Sequence, residues 1–162
     1  MWRSAASFGL AGLARGCELA LSGGETFDPR EHLTPEDVTF FYRGGVRHAR
    51  VRMRKRKDLR VLRGKHHEVV LGGGGRHVDA VAELWAWMET RAVLGLPRDG
   101  PLFCTAEGRA ITVDMLRDEV RAMMAAIGLD PSLYGAHSLR IGGATAALAA
   151  GIPPALIRIM GR

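Results

Sequence analysis

The sequence lacks several features that mark common protein classes. It has two cysteines, Cys17 and Cys104, which predict neither a disulfide framework nor a zinc site; both thiols are expected to be reduced and packed. No apolar run approaches the roughly 20 residues that a membrane-spanning helix needs. The glycine run at 72–75 is not followed by Gly-Lys-Ser/Thr, which excludes a phosphate-binding P-loop. We therefore expect an intracellular protein without a membrane anchor.

Acidic residues are scarce relative to basic ones. The 162 residues include 23 Lys and Arg against 17 Asp and Glu, giving a net charge of +6 and a pI of about 10.1. With 47% hydrophobic and 25% charged residues, the composition is typical of one globular domain. The charge indicates an anionic partner, with nucleic acid as the first candidate and a membrane surface as the second. A soluble basic protein without such a partner is the alternative.

The spacing of apolar residues predicts an α+β domain, mostly helical with a small three-stranded antiparallel sheet. The predicted strands are 38–42, 46–56 and 68–71, with a hairpin turn at Gly44-Gly45. A first helix is predicted at 9–21. A later amphipathic helix is predicted at 78–94, with its core-facing residues at Val81, Trp85, Met88 and Ala92.

Basic residues are concentrated in one segment. Residues 43–65 contain 11 of the 23 Lys and Arg residues and one acid, Asp58. On a strand, alternate residues share a face, so four arginines would form a charged row suited to a phosphate backbone; they are Arg50, Arg52, Arg54 and Arg56. Val51 and Met53 would hold the opposite face against the core, with Lys55 and Lys57 beyond them. A solvated face, or a nuclear-localisation run at 54–57, is the alternative.

A short box near the end of the chain combines two side chains that suit phosphate chemistry. His137 and Arg140 lie three residues apart at the start of a helix rich in small residues, for which Ser138 is a plausible N-cap. At that spacing both side chains project from the same face near the positive end of the helix dipole. A proton donor or acceptor beside a guanidinium therefore predicts a site for phosphoryl chemistry.

Three segments, in this order, resemble the catalytic domain of the tyrosine recombinase (phage integrase) family. Residues 12–21, Gly-Leu-Ala-Arg-Gly-Cys-Glu-Leu-Ala-Leu, resemble the family's GLRxSELxxL box. Residues 56–58 lie where a hairpin lysine follows the strands, and residues 137–145, His-Ser-Leu-Arg-Ile-Gly-Gly-Ala-Thr, resemble its His-x-Leu-Arg box. The resemblance implies that the fold is a tyrosine recombinase catalytic core and that residues 1–162 form a single, partial catalytic domain.

The resemblance also implies roles for individual residues in strand exchange without a metal or other cofactor. Arg15 and Arg140 would grip the non-bridging oxygens of the scissile phosphate, and Glu18 would brace the site. His137 would handle the proton of the nucleophile, while Lys57 would protonate the leaving 5′ oxygen. The partner would be double-stranded DNA rather than a membrane, with self-association of copies on that DNA in the full-length protein. Localisation would be intracellular, and nuclear in a eukaryote.

The sequence departs from the family pattern in two places. Lys55 is an alternative to Lys57 as the hairpin lysine. In the family a second His or Trp follows the glycine that matches Gly161, and the nucleophilic tyrosine comes a few residues later, whereas this sequence ends at Arg162. Neither Tyr42 nor Tyr134 occupies the expected place. We therefore expect the catalytic domain to lack its nucleophile, its C-terminal segment and the N-terminal core-binding domain, and to be inactive in DNA recombination or integration by itself.

Two further hypotheses remain. The first is a non-catalytic DNA-binding remnant of a mobile-element integrase, which keeps the basic segment and the arginine pair. The second is a fragment without a stable fold, because a last helix predicted at 155–160 leaves Leu156, Ile157 and Ile159 with uncertain partners.

Overall fold

A computed structural model of the chain describes residues 1–54, 67–75 and 78–161. The helices are α1 (Trp2–Ala11), α2 (Gly16–Leu19), α3 (Ala80–Val93), α4 (Val113–Ala126), α5 (Ala136–Ala149) and α6 (Pro154–Met160). The strands are β1 (Val38–Arg43), β2 (Val46–Met53) and β3 (His67–Gly72), and 3-10 turns lie at Pro35–Asp37 and Pro131–Leu133. Within these described ranges, no helix is both long and apolar enough to cross a membrane.

The three strands form an antiparallel sheet in the order β1-β2-β3, as the sequence predicts. Gly44 and Gly45 join β1 to β2 with φ of 57° and 77°, the conformation that a tight hairpin turn requires. Phe40 lies opposite Ala49, which lies opposite Leu71 on β3, so these three residues share one face. On that inner face Ala49 and Leu71 are buried and Phe40 is half-buried, whereas the alternate residues of each strand face outward.

Helix α3 packs against the inner face of the sheet. The ring of Trp85 meets that of Phe40 edge-on, with 4.9 Å between their centroids. The buried residues of α3 are Ala80, Val81, Leu84, Trp87 and Arg91. The predicted stripe was correct for Val81 but wrong for Ala92, which is exposed. Arg91 takes the inward position instead, since its guanidinium donates to the carbonyls of Pro97, Pro101 and Leu102 and to Cys104 Sγ.

The predicted first helix, 9–21, was wrong, because the chain forms two helices there. Helix α1 ends at Ala11, and Leu13 has a φ of 51°, which breaks the helical path. A new helix then begins at Gly16, because the Glu18 carboxylate accepts a hydrogen bond from the backbone N–H of Arg15 at 2.7 Å. Arg15 is therefore the N-cap of α2 rather than a residue in the middle of a helix.

Helices α1 and α5 pack closely, and this contact places the site described below. Gly143 of α5 is buried against α1: a Cβ there would overlap the Leu10 carbonyl oxygen and lie 2.7 Å from Leu13 Cδ2. At Gly9, a Cβ would lie 3.0 Å from Leu139 Cδ1. Small residues at these two positions let the two helices approach each other. The turn after α1 therefore lies beside the first turns of α5.

Helix α5 begins earlier than the sequence predicts. Its N-cap is Gly135, and Ser138 is the third residue of the helix. Ser138 still caps the helix, because its Oγ accepts a hydrogen bond from the backbone N–H of Gly135 at 3.0 Å. The helix ends at Ala149 and is followed by Gly151 with a φ of 79°, a common way for a helix to end. Cys104 is buried, Cys17 is half-buried, and both are free thiols.

Candidate functional site

Arg15 and Glu18 form an ion pair at the start of α2. Arg15 Nη1 lies 3.1 Å from Glu18 Oε1, while the other carboxylate oxygen holds the Arg15 backbone. The Glu18 side chain is 7% exposed and that of Arg15 is 32% exposed. A buried carboxylate with both oxygens occupied restricts the rotamers of the arginine, so the Arg15 guanidinium is held in place while remaining accessible.

Arg140 reaches the same region from α5. Its Nη1 donates a hydrogen bond of 2.8 Å to the carbonyl of Leu13, in the turn between α1 and α2. Burial and, secondly, the charge of Arg15 lower the pKa of the Arg140 guanidinium, whereas Glu18 acts in the opposite direction. The two guanidinium groups, 125 residues apart in sequence, are therefore close enough to repel each other. An anion bound between them would relieve that repulsion.

Both arginines line one cleft of about 300 Å³. Its described lining residues are Leu13, Arg15, Arg140, Ala144, Ile157, Arg158 and Gly161. The absence of a side chain at Gly161 leaves room for the Arg140 guanidinium, since a Cβ there would lie 3.1 Å from Arg140 Nη2. Arg158 was not predicted as a site residue from the sequence. It follows the buried Ile157 in the last turn of α6, and a basic residue next to an apolar one near the end of this short helix is the sequence signal that could have indicated it.

His137 lies beside a neighbouring cleft of about 380 Å³, which Arg15 also lines. It is the second residue of α5 and is exposed. The start of α5 lies against α2, because a Cβ on Gly16 would be 3.1 Å from Ala136 Cβ. Arg15 therefore faces both clefts, with Arg140 on one side and His137 on the other. Lys57, Lys55 and Arg56 lie outside the described residues.

The predicted arginine row differs from the strand geometry. Strand β2 ends at Met53, so Arg54 lies beyond it, and Val51 and Met53 are buried as predicted. Asp37, whose side chain is 0% exposed, accepts hydrogen bonds from Arg52 Nε at 2.9 Å and Arg54 Nε at 2.6 Å. A buried carboxylate needs such partners, and it draws both guanidinium groups toward the 3-10 turn. The contact of this row with DNA stays a prediction.

Neither tyrosine of the sequence lines the two clefts. The Tyr42 hydroxyl, on β1, accepts hydrogen bonds from Arg47 Nε at 3.2 Å and Nη2 at 3.0 Å. Tyr134 precedes α5, and its backbone carbonyl accepts a hydrogen bond from Arg121 Nε at 3.1 Å. The described hydrogen bonds of both residues therefore involve groups that do not line the two clefts.

The described residues include no group of three or more His, Cys, Asp or Glu side chains arranged to hold a metal ion. The cleft walls offer guanidinium groups instead, which are donors without acceptor capacity. Such a lining suits an oxyanion, because each guanidinium can present two parallel N–H groups to it.

Comparison with known proteins gives a structural match. Neither the protein-family models nor the curated sequences yield a match. A pre-cleavage complex of the XerH site-specific recombinase with its difH substrate has a TM-score of 0.65 and 21% identity, covering 98% of this chain and 39% of that one. A post-cleavage complex with palindromic difH has a TM-score of 0.63 and 21% identity, covering 99% and 38%.

The chain thus spans about two-fifths of the recombinase's length. At 21% identity this likeness shows the fold. The three-stranded antiparallel sheet among mostly helical elements agrees with it. The expectation from the sequence boxes is therefore confirmed at this level: the chain has a tyrosine-recombinase catalytic-core-like fold.

Proposed function

We propose that this chain is a recombinase-type DNA-binding domain that holds one phosphodiester of double-stranded DNA in the cleft between Arg15 and Arg140. The observation that carries the proposal is the convergence of two arginines, 125 residues apart, on one cleft. The two solved XerH structures that share the fold are complexes with its DNA substrate, which supports a DNA partner.

Charge supports an anionic occupant. Arg15, Arg140 and Arg158 line the cleft, and its described lining residues include no carboxylate. Glu18 neutralises part of the Arg15 charge from beneath, but Arg140 has a neutral carbonyl as its hydrogen-bond acceptor. Like charges gathered without an equal number of anions cost free energy unless an anion binds. A phosphodiester supplies one negative charge and two non-bridging oxygens.

Geometry supports a positioned phosphate rather than general attraction to a polyanion. The Glu18 carboxylate holds Arg15, and the Leu13 carbonyl holds Arg140, so both guanidinium groups are placed before an anion arrives. Preorganised donors lose little rotamer entropy on binding. His137, at the neighbouring cleft, and Lys57, as the hairpin lysine, are the residues that we propose would move protons only if a nucleophile were supplied to the bound phosphate.

For the reaction, we propose that this chain binds the phosphodiester without breaking it. A covalent step needs a nucleophile at the phosphate, and the hydroxyl of Tyr42 is held by Arg47, away from the clefts. Tyr134 likewise lies outside the residues that line them. On this proposal the chain is a non-catalytic DNA-binding module, the remnant of a mobile-element integrase. Association of copies on DNA belongs to the same proposal.

The binding test is a titration of a fluorescent duplex with the chain, followed by anisotropy at several salt concentrations. Each lost phosphate contact should lower the magnitude of the slope of log K against log salt by about 0.9, and weaken binding about eightfold at 0.1 M salt. We expect this for Arg158→Gln, whose exposed side chain makes unfolding an improbable explanation. Arg140→Lys keeps the positive charge but loses the bidentate guanidinium donor. Duplex binding should therefore weaken, while the slope of log K against log salt changes less than in Arg158→Gln.

The matched control is Arg3→Gln. Arg3 is 82% exposed and pairs with Glu83 on α3, so the variant removes the same charge from another surface. Equal losses for Arg3→Gln and Arg158→Gln would contradict a phosphate site in the cleft. The stoichiometry of the same titration reports association of copies on DNA.

The cleavage test uses a nicked duplex that traps a covalent protein–DNA intermediate. We expect no adduct on a denaturing gel under conditions in which the duplex is bound. An adduct would contradict the binding-only proposal, and its loss in Tyr42→Phe or Tyr134→Phe would identify the nucleophile.

A further inference from the structure

We propose that the outer face of the sheet is a second DNA contact, at which Arg50 binds a backbone phosphate of the same duplex that enters the arginine cleft. The outer face consists of the side chains that alternate with the buried ones: Thr39, Phe41, Arg43, Val46, His48, Arg50, Arg52, Glu68 and Val70. This inference rests on the proposed DNA-binding function.

The outer face is open and carries a positive charge. All of its residues are exposed or half-buried, including Val70, which is 51% exposed. Its ionised side chains are three arginines and one carboxylate, Glu68. Arg52 is turned to the buried Asp37, so the guanidinium that remains in the middle of the face is that of Arg50. A face of this sign and exposure fits a polyanion.

Neighbouring rings place the Arg50 guanidinium. It lies 5.6 Å from the centroid of the Phe41 ring, which stacks on the His48 imidazole with 5.4 Å between centroids. The ring of His48 lies across from Gly72, where a Cβ would be 3.9 Å from Nε2. The ion pair of Arg50 with Glu68 is long, at 3.4 Å, and half exposed, so it is weak. Arg50 can therefore turn toward a phosphate without losing a strong partner.

The outer face adjoins the arginine cleft around the end of α6. Glu68 and Val70 line a cleft of about 260 Å³ along β3, together with His67, Val69 and Met160. The next residue, Gly161, lines the cleft of Arg15 and Arg140. The C-terminal end of α6 therefore lies beside both clefts. A duplex with one phosphate between the arginines would continue along its backbone past α6 and over the sheet.

The experiment compares two Arg–Glu pairs, one on the outer face of the sheet and one on a different surface of the protein. Arg50 and Glu68 lie on the outer face, while Arg109 and Glu107 form an exposed pair at 3.7 Å in the loop between Cys104 and Ala110. Duplex binding by the full chain is measured as above. We expect Arg50→Gln to bind about eightfold more weakly at 0.1 M salt, with a slope smaller by about 0.9. Arg109→Gln should keep the wild-type slope.

Removing the carboxylate of the outer-face pair should change duplex binding in the opposite direction from removing its arginine. Glu68→Gln releases Arg50 and removes a charge that repels phosphate, so it should strengthen duplex binding, whereas Glu107→Gln should not. A residue with only a structural role would not give tighter binding when its partner is removed.

The outcomes separate this inference from the proposed function. If Arg158→Gln weakens binding while Arg50→Gln behaves as Arg109→Gln does, the second contact is wrong and the cleft stands. If Glu68→Gln fails to strengthen binding, the second contact is likewise overturned. If the wild-type chain binds no duplex at low salt, the proposed function fails and this inference fails with it.

Discussion

Two adjacent glycines of α5 should respond in opposite directions to the same substitution. Gly142 has open space where a Cβ would be placed, with no atom within 4 Å. Gly143 faces α1, where a Cβ would overlap the Leu10 carbonyl oxygen and come within 2.7 Å of Leu13 Cδ2. Alanine at either position gains the same helix propensity, so the two variants differ only in packing.

The size of each effect follows from these contacts. Replacing glycine by alanine inside a helix stabilises it by about 1 kcal/mol, which is the whole expected effect at Gly142. Overpacking costs about 1–3 kcal/mol, and at Gly143 the cost lies at the upper end because a backbone carbonyl cannot rotate away. The net effect of Gly143→Ala is then a loss of about 2 kcal/mol. The two free energies of unfolding should therefore differ by roughly 3 kcal/mol.

Thermal and urea unfolding followed by circular dichroism measure this difference. For a domain of this size, Gly142→Ala should raise Tm by about 2–4 °C and Gly143→Ala should lower it by about 4–8 °C. Displacement of α5 from α1 also moves Arg140 off the Leu13 carbonyl, so Gly143→Ala should weaken duplex binding while Gly142→Ala does not. Equal stabilities for the two variants would refute the close α1–α5 contact and the placement of Arg140 that depends on it.

Two other variants test electrostatic contacts away from the cleft. Asp37→Asn leaves the guanidinium groups of Arg52 and Arg54 without their buried carboxylate, so the free energy of unfolding measured in urea should fall by about 3 kcal/mol; an unchanged value would contradict the assigned ion pairs. Arg30 holds the pKa of the Asp28 carboxyl down at about 2, below the ordinary 3.8, so this favourable interaction is present at neutral pH and is lost as the pH falls through about 2. In Arg30→Gln the Asp28 midpoint, followed by carbonyl NMR shifts, should return toward 3.8, and a midpoint still near 2 would exclude Arg30 as the cause.

Local sequence signals predicted the parts of the fold that depend on neighbouring residues. Alternating strand residues around Gly44-Gly45 predicted the hairpin, because both the turn and the pleat are set within a few residues. The prediction of one helix over 9–21 was wrong, because the apolar spacing continues through the turn at Leu13. The helix ends before Leu13, whose φ of 51° leaves the helical path, and the Glu18 carboxylate then caps a new helix at the backbone N–H of Arg15.

The outward arginine row shows why charge patterns are harder to interpret. Alternation correctly predicted that Val51 and Met53 are buried. It did not reveal that Asp37, which lies before β1, accepts hydrogen bonds from Arg52 and Arg54. A buried carboxylate has to find donors wherever the fold brings them. Sequence spacing carries no information about such a partner.

For the site, the sequence by itself predicted Arg15, Glu18, His137 and Arg140 as site residues, because each lies within a short box that resembles the tyrosine recombinase family. The ion pair of Arg15 and Glu18 is local to one turn. Only the tertiary structure decided that Arg15 and Arg140 line the same cleft, and that Arg158 joins them. That convergence depends on the approach of α1 and α5 across Gly143, a contact between residues more than a hundred positions apart. Helix periods and capping are local and can be predicted from the chain, whereas the meeting of distant charges is settled by how closely the backbones pack.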